Sequence, residues 1–465
     1  MSIARRDFLR TGMAAAALAA SGSGCEQLSV HSPPDPGGGW SQLPEILAKI
    51  VPPRFPARDF VVTDYGARSD GRTDCAPAFA EAIMACSKAG GGRVVVPSSR
   101  HIYILNGPIH LLSNVNLYLE QGAEIQFGTE PSYYLPVVLV RYQGIRCYNY
   151  SPLIYAYQQT NIAITGSGTF DGQAYYWNSW ENLANPDWAL LQQMVAQGVP
   201  VENRVFGAGH HLRLTMFEPY ECTNILVQGV TFRGSPFWTL HPTFCTNVSI
   251  QNVTVERGQS NDDGCDPDSC SYVLVEDCTF DTNDDNVSIK GGFGPDAQAL
   301  PPCESIVFQN CRTVKTDWGG ITIGSDTGGG VQNVFVQNCT IGKCNNAFYI
   351  KSSSAGGGAA QNIYVRNCQV TECNIFLDLN SDYAGNYGPN PPLFLNLNFT
   401  GINCDTCNGI AFLIAGDSRR PIVTVILSDI AIGSAAKVQQ ISNALFIEYS
   451  DVTIDGKAVT VRGLL

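Results

Sequence analysis

The chain repeats a short motif in which apolar residues alternate behind an Asn or another turn residue. Six copies read Asn-Ile-Leu-Val, Asn-Val-Ser-Ile, Tyr-Val-Leu-Val, Ser-Ile-Val-Phe, Asn-Val-Phe-Val and Asn-Ile-Tyr-Val, and they begin at Asn224, Asn247, Tyr272, Ser305, Asn333 and Asn362. Successive starts are separated by 23, 25, 33, 28 and 29 residues. Strands at this period, without a leucine-rich or helical pattern, predict an all-β fold, a single-stranded parallel β-helix whose coils stack as a solenoid. The crossover rule for parallel strands makes it right-handed.

A second strand recurs 17 or 18 residues into each coil. Its inward positions are Ile289, Ile323, Ile350 and Leu379, with Cys265 placed at the same level in the preceding coil. The residues on either side point outward because side chains alternate along a strand. They form two columns, Ser288, Thr322, Tyr349 and Asp378, and then Lys290, Gly324, Lys351 and Asn380. With Asp263 and Asp266 beside Cys265, this face is predicted to form a groove for a linear polymer.

Segments outside the repeat predict helices. A short strand is expected over residues 60–64, and a helix that caps one end of the solenoid over 74–89, where three glycines follow. Residues 175–205 interrupt the repeat with Tyr and Trp residues and a helical stretch over 188–196. This insertion is either a packed helical addition or a lid whose rings stack on sugars. His210 and His211 either line the cleft or lie in the core.

The cysteines follow the same repeat. Cys278, Cys311, Cys339 and Cys368 each fall six residues after the start of a motif, and Cys344 and Cys373 fall eleven after. Leaving Cys25 aside, 16 of the 17 cysteines remain, an even number that is also compatible with disulfides. We interpret the columns as stacked core thiols rather than as disulfides between coils.

The charge balance excludes one class of partner. The 465 residues are 44% apolar and carry a net charge of -13. Since a basic stripe is missing, no nucleic-acid partner is expected. We assign residues 55–465 to one β-helix catalytic domain and expect a monomer.

The N-terminal residues resemble an export signal. Arg5-Arg6-Asp7-Phe8 followed by a weakly apolar run over 11–20 is a twin-arginine pattern within residues 1–25, and Cys25 is a possible lipoprotein processing site. Residues 26–54 are rich in Pro and Gly and predict a tether, with a helical stretch over 43–50. No other run is apolar enough to span a membrane. We therefore expect a periplasmic or extracellular protein, either free or held by a lipid anchor at Cys25.

The strongest functional signal lies in residues 260–291. This stretch holds Asp263, Asp266, Asp284 and Asp285 around two strand-like segments. Like charges repel, so a fold keeps such carboxylates together mainly to hold a cation or to share protons in catalysis. No His and Cys cluster with metal-ligand spacing accompanies them, and a transition-metal site is not expected.

Four motifs resemble those of glycoside hydrolase family 28, the polygalacturonase family of right-handed parallel β-helices. They are Asn161-Ile-Ala-Ile-Thr-Gly-Ser-Gly-Thr-Phe-Asp-Gly, Ser235-Pro-Phe-Trp, Asn261-Asp-Asp-Gly-Cys-Asp-Pro-Asp-Ser-Cys and Asp284-Asp285. The resemblance covers residues 59 to at least 367. It implies an inverting hydrolase that cleaves α-glycosidic bonds in pectic poly- or oligosaccharides of polygalacturonate or rhamnogalacturonan type, without a metal or other cofactor.

The resemblance also implies roles for single residues. Asp284 would be the general acid, while Asp263 and Asp285 would activate water. One protonated and one ionised carboxyl group is also what inverting hydrolysis requires. We predict that five further residues bind substrate: Asn261, Asp266, Lys290, Tyr349 and Lys351. Asp266 is alternatively a partner of Lys290.

Two departures from the family pattern bear on the substrate. The usual histidine of the Gly-His-Gly motif aligns with Gly319, and the arginine of Arg-Ile-Lys is Tyr349. The loss of this arginine removes a bidentate partner for a uronate carboxylate, whereas Lys351 keeps a point charge. A neutral sugar such as rhamnose would tolerate the exchange and would stack on Tyr349.

Two other classes of protein remain open. A calcium-dependent polysaccharide lyase would use the carboxylates to hold Ca²⁺ and Lys290 or Lys351 as the base. A non-catalytic, glycan-binding β-helix would bind the polymer and leave it intact.

Overall fold

The computed structural model describes residues 39–385 and 388–459. The predicted export signal over 1–25, the possible lipidation site at Cys25 and the tether up to residue 38 lie outside these residues. None of the described helices has the length and apolar character needed to cross a membrane.

Parallel strands stack into three walls of one right-handed β-helix. The first wall contains Asp59–Val61, Gly92–Val96, Val115–Leu119, Thr160–Gly166, Thr223–Gln228, Thr246–Gln251, Ser271–Glu276, Cys303–Gln309 and Val331–Gln337. The second wall contains Tyr103–Leu105, Glu124–Phe127, Thr169–Asp171, Thr231–Arg233, Thr254–Glu256, Thr279–Phe280 and Arg312–Thr313. The third wall contains Ile109–His110, Ile154–Tyr157, Phe217–Tyr220, Val287–Ile289, Gly319–Ile323 and Ala435–Ser442.

Longer strands join the walls towards the C-terminus. They are Thr340–Lys351, Ala359–Asn380, Leu393–Ala415, Val423–Ile432 and Ile447–Ile454, and the last pairs with Lys457–Ala458. The predicted fold class, with its short capping helix, is confirmed.

The turn residue of the motif has a conformational role. The first residue of each copy has a positive φ, for example 59° at Asn224 and 58° at Asn247. Asn adopts this left-handed region more readily than most residues. Its amide also stacks, since Asn247 Nδ2 donates to Asn224 Oδ1 over 2.8 Å and Asn224 Nδ2 donates to Asn161 Oδ1 over 2.9 Å. The recurring Asn thus both turns the chain and links neighbouring coils.

Two helices lie before the first coils. The capping helix is Ala76–Lys88, and it buries Phe79, Ala82 and Ile83 against the end of the core. Helix Leu43–Lys49 lies on the outside of the first wall, where Leu43 and Ile46 pack against Phe335 and Tyr364. The predicted tether over 26–54 therefore needs correction from Trp40 onward, because this apolar helix covers an apolar strip of the wall.

The insertion is a packed addition with its own small core. It contains helices Ala174–Trp177 and Trp180–Ala196 and ends at strand Val205–Phe206. It packs with an earlier hairpin, formed by the antiparallel strands Val138–Tyr142 and Ile145–Asn149. Tyr142, Leu191 and Phe206 are buried together with Phe237 of the β-helix. A further short helix, Pro295–Gln298, follows the third wall, and single 3-10 turns occur at Trp40–Gln42, Val62–Tyr65, Pro131–Tyr134, Val201–Asn203 and Tyr383–Gly385.

The described cysteines are free thiols. All sixteen are buried, as the stacked-thiol interpretation predicts. Cys344 and Cys373 are Cα partners on adjoining coils, and Cys407 continues their column. The Cys373 and Cys404 sulfur atoms lie 3.8 Å apart, well beyond the roughly 2.05 Å of a disulfide bond.

Candidate active site

The register of the third wall brings the acidic residues together. Cys265 pairs with Val287, and Val287 pairs with Ile321. Asp263 and Asp285 each lie two residues before these partners, so they stand at the same level on neighbouring coils. This corrects the predicted alignment of Cys265 with Ile289, since the turns between strands differ in length from coil to coil.

The corrected register changes the neighbours of two residues. Asp268, rather than Asp266, is level with Lys290. Asp266 falls in the column of Ser288, Thr322, Tyr349 and Asp378, which the structure places together as predicted.

Three carboxyl groups meet at this point. One oxygen each of Asp263, Asp284 and Asp285 lies within 4.8 Å of the others. Asp263 and Asp285 are buried, whereas Asp284 is partly exposed and is therefore the one that a ligand reaches most easily. The three predicted catalytic residues are thus brought into one cluster.

Two lysines supply the opposite charge. Lys351 Nζ lies 2.9 Å from Asp285 Oδ2, and the backbone N–H of Gly319 donates to Asp285 Oδ1 over 2.8 Å. Lys290 Nζ lies 3.4 Å from Asp263 Oδ2. The oxygen spacing of the cluster is one at which a metal ion can bind, but these two ammonium groups already neutralise much of its charge.

Burial raises the pKa of two of the three carboxyl groups. Burial, followed by the charge of Asp285, raises the pKa of Asp284 to about 6. Burial and the charge of Asp284 raise the pKa of Asp263. Burial lowers the pKa of Lys351, but the charges around it, led by that of Asp285, together outweigh burial and raise this pKa. A carboxyl group with a pKa of about 6, next to the pair that Asp285 forms with Lys351, is suited to donate a proton near neutral pH.

Asp284 is held by its neighbours. Its Oδ1 accepts the backbone N–H of Asp285 at 2.8 Å, and its Oδ2 accepts Asn261 Nδ2 at 3.2 Å. Asp262 fixes the backbone that carries Asp284. Its Oδ1 accepts the backbone N–H groups of Asn283 and Asp284 at 2.8 and 2.9 Å. Sequence reasoning missed Asp262, although it lies inside the quoted motif between two residues that were selected.

Two predicted substrate ligands are buried. Asp266 is fully buried, its oxygens form no hydrogen bond within the described residues, and it lies 3.7 Å from Lys290 Nζ. Lys290 is 4% exposed and sits 4.2 Å from the centroid of the Trp238 ring. Asp266 is thus a partner of Lys290, as the alternative prediction has it. A role of either residue in substrate binding stays a prediction.

An aromatic pair forms the other side of the site. The rings of Tyr349 and Tyr383 lie 6.3 Å apart, and Lys351 Nζ lies 4.8 and 5.1 Å from their centroids. Tyr349 is only 8% exposed, whereas Tyr383 is half-buried and forms the outer ring. Tyr383 comes from a loop outside the repeat, and no motif in the sequence signals it.

The departure at Gly319 has a steric reason. A Cβ atom at this position would lie 2.6 Å from Asp285 Oδ1 and 2.0 Å from Thr322 Oγ1. Glycine therefore allows the backbone N–H to reach the carboxylate. The preceding Trp318 is 52% exposed and places an aromatic ring at the rim, which sequence reasoning also missed.

His210 and His211 follow the insertion and contact it. His210 Nδ1 is 2.7 Å from Asp187 Oδ1, and the His211 backbone N–H donates to Asp187 Oδ2 over 2.6 Å. The Trp180 ring packs edge-on against His211. These histidines hold the insertion together.

A parallel β-helix with an acidic, lysine-supported cluster on one wall defines a carboxylate-dependent glycoside hydrolase. The profile of Glycosyl hydrolases family 28 matches residues 211–451, which is more than half of the chain. The chain belongs to this family. The prediction of a pectin-degrading hydrolase is thereby confirmed over the lyase and the non-catalytic alternatives.

Individual relatives agree. The chain is similar to a hyperthermoactive exopolygalacturonase from Thermotoga maritima, with 35% identity, coverage of 90% of this chain and 96% of that one, and a TM-score of 0.85. It is 25% identical to a probable polygalacturonase of Vitis vinifera, over 82% of this chain and 75% of the relative. It is also 25% identical to an exo-poly-alpha-D-galacturonosidase of Dickeya chrysanthemi, over 63% and 52%.

Proposed function

We propose that the protein is an exo-acting hydrolase of α-linked galacturonan, with Asp284 as general acid and Asp263 and Asp285 as the groups that activate water. The observation that carries the proposal is the partly exposed Asp284 carboxyl, whose pKa is raised to about 6, beside a carboxylate paired with Lys351 at 2.9 Å. Asp284 can therefore hold a transferable proton near pH 6, next to a carboxyl group that Lys351 contacts directly.

The reaction follows from these states. Asp284 donates its proton to the glycosidic oxygen as the bond to the anomeric carbon breaks. A water held by Asp263 and Asp285 attacks that carbon from the opposite face and gives up a proton to the carboxylate pair. Lys351 stays beside Asp285 and limits the charge that develops.

Inversion is part of the proposal and has a direct test. The carboxyl oxygens lie within 4.8 Å, closer than the roughly 6.5–9.5 Å usual for inverting pairs. We therefore place the water against the Asp263–Asp285 pair rather than between the acid and a single base. Proton NMR of the first product should show the β-anomer. An initial α-anomer would contradict these roles and would make one of the carboxylates a nucleophile.

Exo action is supported by the insertion. The Tyr142 ring stacks on Phe237 at 4.9 Å, and Arg141 reaches Asp268 over 2.9 Å. Phe237 lies in the coil directly before that of Asp263, so the hairpin Val138–Asn149 and the insertion pack on this side of the carboxylates. The names of the Thermotoga and Dickeya relatives point the same way.

A product analysis separates the two modes of action. On polygalacturonate we expect monomer from the first turnover and little early loss of viscosity. A ladder of oligomers with a rapid fall in viscosity would contradict exo action. Equal turnover of rhamnogalacturonan would contradict the galacturonan assignment. This test is needed because Tyr349 and Gly319 depart from the family pattern.

We also propose export by the twin-arginine route, on the basis of Arg5-Arg6 and the apolar run that follows. Replacing both arginines with lysine should keep the protein in the cytoplasm. Labelling with a radioactive fatty acid, compared between the parent and Cys25→Ala, tests the lipid anchor.

A further inference from the structure

Arg213 is a buried arginine next to the catalytic cluster. Its side chain is 3% exposed. Nη1 donates to the Ser260 carbonyl at 2.7 Å and lies 3.3 Å from Ser260 Oγ, and Nη2 donates to Asn261 Oδ1. The guanidinium carbon lies 5.0 Å from the centroid of the Phe237 ring. Nε has no hydrogen-bond partner among the described residues.

The charge of Arg213 has no protein counterion. Two other arginines are equally buried, and each has one, since Arg141 pairs with Asp268 and Arg204 pairs with Asp296. Within residues 39–385 and 388–459, Arg213 forms no ion pair, and its acceptors are neutral oxygens. An uncompensated buried charge is unfavourable. The site around Arg213 is therefore short of one negative charge.

The position of Arg213 links that missing charge to the reaction. A guanidinium only donates hydrogen bonds, so Asn261 must turn its oxygen towards Arg213 and its amide NH₂ towards Asp284. One side chain thus separates Arg213 from the acid. Ser260 and Asn261 are half-buried at the cleft, on the side where the insertion packs.

We propose that Arg213 binds the carboxylate of the uronic acid residue that lies against Asp284, and that this ligand supplies the missing counterion. The inference rests on the proposed galacturonan substrate and names the residue that selects it. It also accounts for Tyr349, because an arginine on the insertion side takes over the uronate recognition that the family assigns to the position of Tyr349. Arg213 lies outside the repeat, and no motif marks it.

The test compares charged and neutral substrates. Digalacturonate and its dimethyl ester are given to the parent, to Arg213→Gln and to the control Arg233→Gln, which removes an outer arginine paired with Glu124 and Asp171. We expect Arg213→Gln to lose about 10- to 100-fold in kcat/KM on the acid, since a charge-assisted hydrogen bond is lost, and only a few-fold on the ester. The control should leave both rates nearly unchanged. Equal losses on acid and ester would overturn the proposal and leave Arg213 with the positioning of Asn261.

A second measurement covers misfolding and separates the two proposals. Binding of galacturonate, methyl galacturonate ester and galactose is followed by thermal shift on the parent and on Arg213→Lys, which keeps the charge but not the paired donors. The parent should bind the free acid about 10-fold more tightly than the ester, and equal binding would overturn the proposal. A parent that binds the acid selectively but does not cleave digalacturonate would refute the proposed function and still support the carboxylate site.

Discussion

Replacing Asp284 with Asn should abolish most activity and yet stabilise the fold at neutral pH. The amide has nearly the same volume as the carboxyl group but donates no catalytic proton. Loss of a general acid typically lowers the rate about 10²- to 10⁴-fold. The free energy of unfolding changes in the opposite direction. The surroundings of Asp284 make its ionised form less stable in the folded protein than in the unfolded chain.

The size of the stabilisation follows from linkage. The pKa of Asp284 rises from an ordinary 3.8 to about 6 in the folded protein. Between these values the folded state binds more protons than the unfolded state, so stability falls as pH rises from about 4 to about 6. One pKa unit corresponds to about 1.4 kcal/mol, which makes the loss about 3 kcal/mol above pH 6.

Asp284→Asn avoids this loss of stability because the amide does not ionise. It introduces a smaller loss through its hydrogen bonds. Its amide still accepts the N–H of Asp285, whereas its NH₂ then faces the NH₂ of Asn261 in place of the acceptor. A mismatched pair of this kind costs about 1 kcal/mol. We expect a net gain of about 2 kcal/mol for Asp284→Asn at pH 7.5 and no gain near pH 4.

Urea unfolding at both pH values, together with kcat/KM on digalacturonate, measures these quantities. Asp285→Asn is the matched control. It breaks the buried pair with Lys351 and should lose both activity and about 3–5 kcal/mol of stability. If Asp284→Asn were less stable than the parent at pH 7.5, or retained activity within tenfold, the reasoning would be refuted.

Four other predictions follow from the same site. kcat/KM of the parent should fall above pH 6 as Asp284 ionises, and a flat profile to pH 8 would exclude it as the acid. Excess EDTA should not change the rate, since Lys290 and Lys351 neutralise the carboxylates, whereas inactivation would favour a bound cation. Tyr383→Ala should raise KM several-fold and Tyr383→Phe should not, if the ring is a stacking surface. Alkylation of denatured, unreduced protein should modify all sixteen described cysteines, and unlabelled pairs would reveal disulfides.

The sequence was sufficient to predict the fold because a solenoid consists of short, similar repeats. The left-handed Asn at each turn and the alternation behind it are local properties, and they recur in every coil. Stacking follows once the period is known. The prediction of a tether over 26–54 fails from Trp40 onward because the contact there is not local. The composition of this segment does not show the apolar strip on the first wall that helix Leu43–Lys49 covers.

The resemblance to the family, rather than the count of residues along the coils, named Asp263, Asp284 and Asp285 together, and the structure places them in one cluster. Counting residues from one coil to the next gives the wrong register where the turns differ in length. It aligned Cys265 with Ile289 instead of Val287. The spacing of residues along the chain does not predict which of these polar side chains are buried. Only packing shows that Asp266 and Lys290 are enclosed, and only the folded chain brings Arg213 and Tyr383, from outside the repeat, to opposite sides of the carboxylates. Periodic contacts are encoded locally, whereas these side chains meet the site through loops and an insertion whose paths depend on the whole fold.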